Sequence, residues 1–309
     1  MRRTTAAILF TLLLCGVVAG CGGTGAKENG EVTITVTSRG YPEEEVLREI
    51  YAQALERAGF DVRRRELAQG RLALEELETG RVSGYPDHLE TALTEAMPAE
   101  VEDVPSSTTA AYQGAKKQFQ AMGFVPFPPA PFVRAKAVGV LRKTAEERGI
   151  ETLSDLKGPS RQMSVMEREL YCHGRGNCLG GLESEYGIMF GGFFAIPLFE
   201  PASQLYEALR AGEADALMLI TSEGQLARKR DWLVLLEDDE HRLPASNAFW
   251  MTRQDVVEEA GPDYEKAILK AQKGLTLDVM RELDAKVELD GKAPREVAAE
   301  YLRSIGYRA

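Results

Sequence analysis

The fold is decided by a unit that the chain uses twice, as LEELETGRVSGYPD at residues 74–87 and as YEALRAGEADALMLITSEG at residues 206–224. In each copy two apolar residues lie three positions apart, and a glycine, Gly80 or Gly212, follows three positions later. This spacing predicts a helix whose buried face ends at a C-terminal capping glycine. A short run typical of a buried strand and then a polar turn follow, more clearly in the second copy. The repeat predicts two similar lobes that face each other across a cleft.

The turns near Tyr85 and near Thr221, after the two predicted strands, are candidate ligand-binding loops. Ligands of open α/β sheets bind just outside the carboxyl ends of the strands. Strand-like and helix-like segments also alternate elsewhere, as at residues 32–37 and 43–58, which predicts the α/β class.

The division into lobes is predicted from two crossover segments. The proline-rich residues 124–132 are unsuited to a central helix or strand and are predicted to lead from the first lobe into the second. Residues 244–251 are predicted to cross back. Lobe 1 would then consist of residues 31–132 and 247–309, and lobe 2 of residues 133–246.

The N-terminus has the features of an export signal. Arg2 and Arg3 precede an apolar run, Ala6–Val18, which is short for a membrane span, and the run ends in VAGC at residues 18–21. This resembles a bacterial lipobox, so we expect residues 1–20 to be removed and Cys21 to become the lipid-modified first residue. Residues 21–30 would form a flexible tether. The alternative is an ordinary signal peptide with an unrelated cysteine.

Composition is that of a globular, acidic protein. The chain has 309 residues, 44% of them hydrophobic, which is enough for roughly two domains with full cores. Its formal net charge is −11, and loss of two arginines with the signal gives −11 − 2 = −13. This surplus of negative charge argues against nucleic acid or anionic lipid headgroups as partners.

Two cysteines, Cys172 and Cys178, remain in the exported part of the chain beside the anchor. An oxidising compartment and their close spacing favour a disulfide that closes a short loop. The alternative is a metal site that includes His173, but the other histidines, His88 and His241, lie far away in sequence.

The chain resembles the substrate-binding proteins of ABC importers for glycine betaine, choline and carnitine, the osmoprotectant class of quaternary-amine transporters. The resemblance extends over nearly all of the chain after the tether and depends on motifs in a fixed order. These are SRGYPEEE at 38–45, YPDHLETALT at 85–94, CLGGL at 178–182, LYEAL at 205–209 and TSEGQ at 221–225.

The resemblance implies a two-lobed type II periplasmic-binding-protein fold with the ligand held between the lobes. Such a protein does no chemistry and needs no cofactor. It delivers its cargo to a membrane permease that a separate ATPase drives. We therefore expect a monomeric, extracytoplasmic, lipid-anchored binder of a small amine or zwitterion.

The resemblance also implies the ligand-binding residues. The family holds a quaternary ammonium against aromatic faces by cation–π attraction and meets a carboxylate with basic side chains. Matching by position gives candidate ligand-binding residues on both lobes: Arg39, Glu44, Tyr85, His88, Lys136, Arg175, Tyr206 and Thr221.

Several of these positions depart from the family pattern. Lys136 and Ile220 replace two of the four cage tyrosines, Glu44 replaces a common glutamine, and His88 replaces a tyrosine. If Lys136 and Glu44 both face the cleft, they offer one cation and one anion, which suits a zwitterion or a carboxylate with a primary amine. The sequence therefore predicts an altered cargo.

Each candidate also has an ordinary structural interpretation. Tyr206 lies at core spacing from Leu209, and charged residues such as Lys136 and Glu44 are most often solvated. No nucleophile motif accompanies the three histidines, which makes a hydrolase an unfavoured class. A sensor subunit, or an exported enzyme on the same two-lobed fold, remains the alternative.

Overall fold

The computed structural model describes residues 32–67, 72–96, 104–168, 179–197, 200–228, 230–244 and 246–307. The predicted signal segment, the tether with Cys21, and the loop with Cys172, Arg175 and Cys178 lie outside the described residues. Within the described ranges, no helix combines the length and the apolar character that a membrane crossing requires.

The strands form two separate sheets. The first contains β1 (Thr33–Val36), β2 (Asp61–Arg64), β3 (Gly84–His88), β4 (Phe124–Pro126), β5 (Val133–Arg134) and β11 (Ser246–Arg253). The second contains β6 (Lys136–Leu141), β7 (Ser164–Arg168), β8 (Gly192–Ile196), β9 (Ala216–Ile220) and β10 (Leu233–Leu235).

Both sheets are mixed. In the first the order is β2-β1-β3-β11-β4, with β1 parallel to β2 and β3, and with β11 antiparallel to β3, β4 and β5. In the second the order is β10-β6-β9-β7-β8, with β7 parallel to β8 and β9, and with β6 antiparallel to β9 and β10. Helices between the strands make this an α/β fold, as the alternating sequence pattern predicts.

The helices cover both faces of the sheets. They are α1 (Pro42–Arg57), α2 (Ala73–Glu78), α3 (Leu89–Ala96), α4 (Thr108–Ala121), α5 (Arg142–Arg148), α6 (Leu179–Tyr186), α7 (Ser203–Ala211), α8 (Gln254–Ala260), α9 (Pro262–Gln272), α10 (Leu277–Glu288) and α11 (Pro294–Ser304). Short 3-10 helices occupy Ser154–Leu156, Pro159–Gln162 and Gly224–Ala227.

Each sheet has its own hydrophobic core. In the largest cluster α1, α9, α10 and α11 pack on the first sheet around Trp250, whose indole meets the Tyr51 ring edge-on at 5.3 Å. The indole N–H of Trp250 also donates to the Tyr264 hydroxyl at 2.8 Å, so the polar atom of this buried ring is satisfied. The second sheet is packed on its two faces by separate clusters.

The repeated sequence unit forms the predicted helices. α2 and α7 are followed by Gly80 and Gly212, both in the left-handed conformation with φ of 70° and 76°. A glycine adopts this conformation without the steric cost of a Cβ, so it ends the helix. After Gly212 the chain enters the buried strand β9, as predicted.

The first copy differs from the prediction at Tyr85. The residues read as a polar turn form the buried strand β3, which lies between β1 and β11. Pro86 pairs with Trp250 within it. Neighbouring strands on both sides fix this segment, and their contacts override the local preference of Gly84 and Pro86 for a turn.

The chain passes between the sheets in two adjacent segments. β5 pairs with the start of β11, with Arg134 opposite Ser246 and Val133 opposite Asn247. The Asn247 side-chain amide donates to the carbonyls of Ala130 at 3.1 Å and Phe132 at 2.7 Å, and its oxygen accepts from Thr108 at 2.6 Å. One side chain thus ties the outgoing and returning segments together.

A second contact joins the parts of the molecule built on the two sheets. It lies at helix α10, which packs in the hydrophobic core of the first sheet. The loop after β9 approaches this helix so closely that a Cβ on Gly224 would lie 2.4 Å from the backbone nitrogen of Ala285. Arg281 donates to the carbonyl of Thr221 at 2.6 Å. The site described next lies between this contact and the paired crossover segments.

Candidate functional site

A cavity of about 160 Å³ lies where the two sheets face each other. The part of the molecule built on the first sheet contributes the loop after β1, the first turn of α1, and parts of α3 and α10. The part built on the second sheet contributes the start of β6, the end of β7, and the end of β9 with the following loop. The strand ends at β1, β7 and β9 are carboxyl ends, where ligands of α/β sheets bind.

Charged side chains dominate the cavity wall. Among the described residues seven carboxylates line it: Glu43, Glu44, Glu90, Glu167, Glu223, Asp284 and Glu288. Four basic side chains line it as well: Arg39, Arg134, Lys136 and Arg168. Tyr41 is the one aromatic residue among the described lining residues. The wall therefore has a formal surplus of three negative charges and little aromatic surface.

Glu43 connects the two halves of the cavity. His88 Nε2 lies 2.7 Å from one oxygen of Glu43, and the Ser222 hydroxyl donates to the other. Arg134 lies 3.8 Å away. Burial alone would raise the pKa of the Glu43 carboxyl, but the hydrogen bond and charge of His88, the charge of Arg134 and the Ser222 hydrogen bond outweigh it and hold the pKa at about 2. Glu43 is therefore a fixed anion.

Glu44 is likewise compensated. The Arg39 backbone N–H donates to one Glu44 oxygen at 3.0 Å, and the Arg39 Nε lies 3.6 Å from the other. The Arg39 guanidinium also donates to Asp87, which is buried behind the cavity. These contacts fix the loop after β1 against the end of β3.

Glu223 follows β9 and accepts hydrogen bonds from residues of the part built on the second sheet. The Tyr206 hydroxyl donates to it at 2.8 Å, and the Ile220 backbone N–H donates at 3.1 Å. Burial raises the pKa of the Glu223 carboxyl, although the charges of Arg168 and Lys136 act in the opposite direction. Burial and the Glu223 charge also raise the pKa of Tyr206, which stays a neutral donor.

Glu167, near the end of β7, lacks such partners among the described residues. Its side chain is 2% exposed, and neither carboxylate oxygen has a hydrogen-bond partner in the described part of the chain. Burial raises the pKa of Glu167 to about 7, and the charge of Lys136 opposes the shift. Burial, with the charge of Arg134, lowers the pKa of Lys136. The two opposite charges thus influence each other without a direct bond.

Helix α10 brings two more carboxylates to the cavity. Asp284 accepts from the Gly224 backbone N–H at 3.2 Å through one oxygen, while the other oxygen has no partner among the described residues. Glu288, one helical turn further on, also has a carboxylate oxygen without a hydrogen-bond partner among the described residues. Burial and neighbouring carboxylates raise the pKa of both groups, that of Glu288 to about 7.

The structure brings only some of the sequence-predicted residues to the cavity. Arg39, Glu44 and Lys136 line it. So does Ile220, which pairs with Lys136 across β6 and β9. The two positions at which the sequence departs from an aromatic cage are therefore neighbours on the cavity wall.

Other candidates lie behind the wall. Tyr85 and Tyr206 are each 2% exposed and pack in hydrophobic clusters, Tyr85 because it lies within strand β3 rather than in a loop. His88 is buried behind Glu43. The Thr221 hydroxyl accepts from the Ala135 N–H at 3.0 Å at the crossover. None of these four is among the lining residues that the structure describes, and Arg175 lies outside the described ranges.

Several lining residues escaped sequence reasoning. Glu167 and Arg168 follow the segment Met163–Met166 and end strand β7, and this position at a strand end was the available signal. Glu223 belongs to the TSEGQ turn that supplied the Thr221 candidate. Asp284 and Glu288 gave no local signal, because the long-range packing of α10 brings them to the cavity.

Comparison with known proteins agrees with this geometry. The solved structure of a glycine betaine/carnitine/choline ABC transporter superposes with a TM-score of 0.75 at 20% identity, covering 89% of this chain and 99% of that chain. The apo form of Escherichia coli YehZ superposes with a TM-score of 0.69 at 20% identity, covering 89% and 99%. The protein thus has the two-lobed type II periplasmic-binding-protein fold, with the cavity between its lobes.

The family follows from the sequence comparisons. Residues 32–304 match the model of the substrate-binding domain of ABC-type glycine betaine transport systems, and the chain belongs to this family of solute-binding proteins. A glycine-betaine-binding protein of Pseudomonas aeruginosa is 25% identical over 281 residues, which cover 88% of this chain and 87% of that protein.

Proposed function

We propose that the protein captures a small amine or zwitterionic solute between its lobes and delivers it to the membrane permease of an ABC importer. The observation that carries this proposal is the interlobe cavity, which both lobes line with charges of both signs. Side chains of opposite charge suit a solute that has a charged nitrogen and an acidic group. Family membership over residues 32–304 supports the transport role.

The proposal includes the arrangement of the chain at the membrane. The signal would be removed after residue 20, and Cys21 would carry the lipid. A short tether would connect Cys21 to the lobes outside the cytoplasm. The protein would be a monomer. The lobes would comprise residues 31–132 with 247–309, and residues 133–246. The adjacent segments at β5 and β11 support this division, since the chain leaves the first sheet after β5 and rejoins it at β11, and every strand between them belongs to the second sheet.

Ligand capture would involve closure of the lobes. Glu43 and Ser222 already meet across the cavity, and closure would bury the solute between such pairs. The residues nearest the solute would include Arg39, Glu44 and Lys136, with Ile220 beside them. Glycine betaine and choline are natural test ligands, because structurally similar proteins have been solved in complex with them and the family is named for glycine betaine transport.

The test is ligand identification with the mature protein produced without its lipid. Mass spectrometry of the native protein identifies any solute that co-purifies. A thermal-shift screen of amines, betaines and amino acids, followed by isothermal titration calorimetry, measures affinity. We expect at least one small amine or zwitterion to bind with 1:1 stoichiometry. A protein that retains no solute and responds to no member of the screen would contradict the proposal.

A further inference from the structure

The Glu167 carboxylate requires a partner that the described part of the protein does not supply. It lines the cavity, it is almost fully buried, and both of its oxygens are without a hydrogen bond among the described residues. A buried anion that loses its water and gains no donor is unfavourable, and more so than a neutral polar group. Because its oxygens adjoin the cavity, the missing donors can come from a ligand.

The opposite wall reinforces this requirement. Asp284 and Glu288 of α10 each present an oxygen without a partner among the described residues, and both line the same cavity. By contrast, Glu43, Glu44 and Glu223 have donors within the protein. Carboxylate oxygens without a donor among the described residues thus come from both lobes, from the end of β7 and from helix α10.

The same wall is poorly suited to a quaternary ammonium. Such a group has no N–H to donate and is held by aromatic faces, of which Tyr41 is the one among the described lining residues. A metal ion is a poor alternative, because the described residues contain no cluster of three or more His, Cys, Asp or Glu arranged to hold one. A protonated amine or guanidinium offers both positive charge and donors.

We propose that the ligand carries a protonated nitrogen with N–H groups, a primary or secondary ammonium or a guanidinium, and that Glu167 accepts hydrogen bonds from it. Asp284 and Glu288 line the same cavity from the other lobe and add to its negative charge. Lys136 and Arg168 remain beside Glu167 for an acidic or hydrogen-bond-accepting group of the ligand. This inference rests on the proposed function, since it names the chemical class of the solute bound in the interlobe cavity.

The test uses ligand pairs that differ only in N-methylation. These are glycine and glycine betaine, ethanolamine and choline, and γ-aminobutyrate and its N-trimethyl derivative. Calorimetry on the dialysed mature protein should show, for at least one pair, binding of the N–H member at least tenfold tighter than that of its trimethylated partner.

Glu167→Gln then tests the residue itself. Glutamine keeps the size of the side chain but removes the charge, and affinity for the N–H ligand should fall about tenfold or more. Glu213→Gln, at an exposed position on the same lobe, is the matched control and should bind like the unaltered protein. Circular dichroism and melting temperature confirm that both variants fold.

The outcomes separate this inference from the function on which it rests. Preferential binding of the trimethylated members, unaffected by Glu167→Gln, would overturn the inference and leave solute capture intact. Binding of the N–H member that Glu167→Gln leaves unchanged would also overturn the role of Glu167. Binding of no member of any pair, with no co-purifying solute, would overturn both.

Discussion

Replacing Glu167 by glutamine should stabilise the ligand-free protein at pH 8 much more than at pH 5. The pKa of Glu167 is raised from 4.5 to about 7 by burial, so the folded protein holds this proton more tightly than the unfolded chain does. As the pH rises above 4.5 the unfolded chain releases the proton first, and the free energy of unfolding falls until the pH passes about 7. Glutamine does not titrate, so the variant lacks this loss.

The magnitude follows from the shift in pKa. At about 1.4 kcal/mol for each pKa unit, the full effect is roughly 3 kcal/mol, of which about 2.5 kcal/mol develops between pH 5 and pH 8. This figure is an upper limit, because the Glu167 carboxyl adjoins the cavity, where solvent screens its charge.

The assay is urea unfolding of dialysed protein at the two pH values, for the unaltered chain, Glu167→Gln and the exposed control Glu213→Gln. The stability gained by Glu167→Gln should be larger at pH 8 by about 1–2.5 kcal/mol, and Glu213→Gln should show no such dependence. An equal effect of Glu167→Gln at both pH values would refute the reasoning, since the carboxyl would then titrate alike in the folded and unfolded states.

Three further predictions concern other parts of the molecule. Gly224→Ala should force the second lobe away from α10 and weaken ligand binding, with a larger radius of gyration by small-angle scattering, whereas Gly158→Ala, whose added Cβ meets nothing within 4 Å, should change neither. Lys136→Tyr should raise affinity for glycine betaine about 2- to 30-fold in calorimetry, by adding a cation–π contact and removing a repulsive charge; unchanged affinity would show that the side chain does not meet the ligand. Cys172 and Cys178 should give no free thiol when the exported, unreduced protein is titrated, and two free thiols would contradict the predicted disulfide.

The part of the fold that could be predicted from sequence is the part governed by local spacing. The run around Leu209, Gly212 and Ile220 gives a helix, a left-handed glycine and a strand at the predicted places. At Tyr85 local reasoning failed, because a glycine and a proline signalled a turn while β1 and β11 held the segment as a central strand.

The candidate site was predictable to a smaller extent. Family resemblance led to Arg39, Glu44 and Lys136, which line the cavity. The buried carboxylates could not be recognised, because an acidic residue is usually solvated and nothing local distinguishes Asp284 from its exposed neighbours. Only the long-range packing of α10 beside the loop after β9 removes this side chain from water.

The Asn247 side chain would have a mechanical consequence if the lobes open and close around the solute, as we propose. Because it bonds the carbonyls of Ala130 and Phe132 and accepts from Thr108, the two passes of backbone between the lobes cannot slide past each other. Closure of the lobes would therefore have to bend or twist the two passes together. The two passes would thus act as a single hinge, whose stiffness would contribute to the rate at which the empty protein opens and closes.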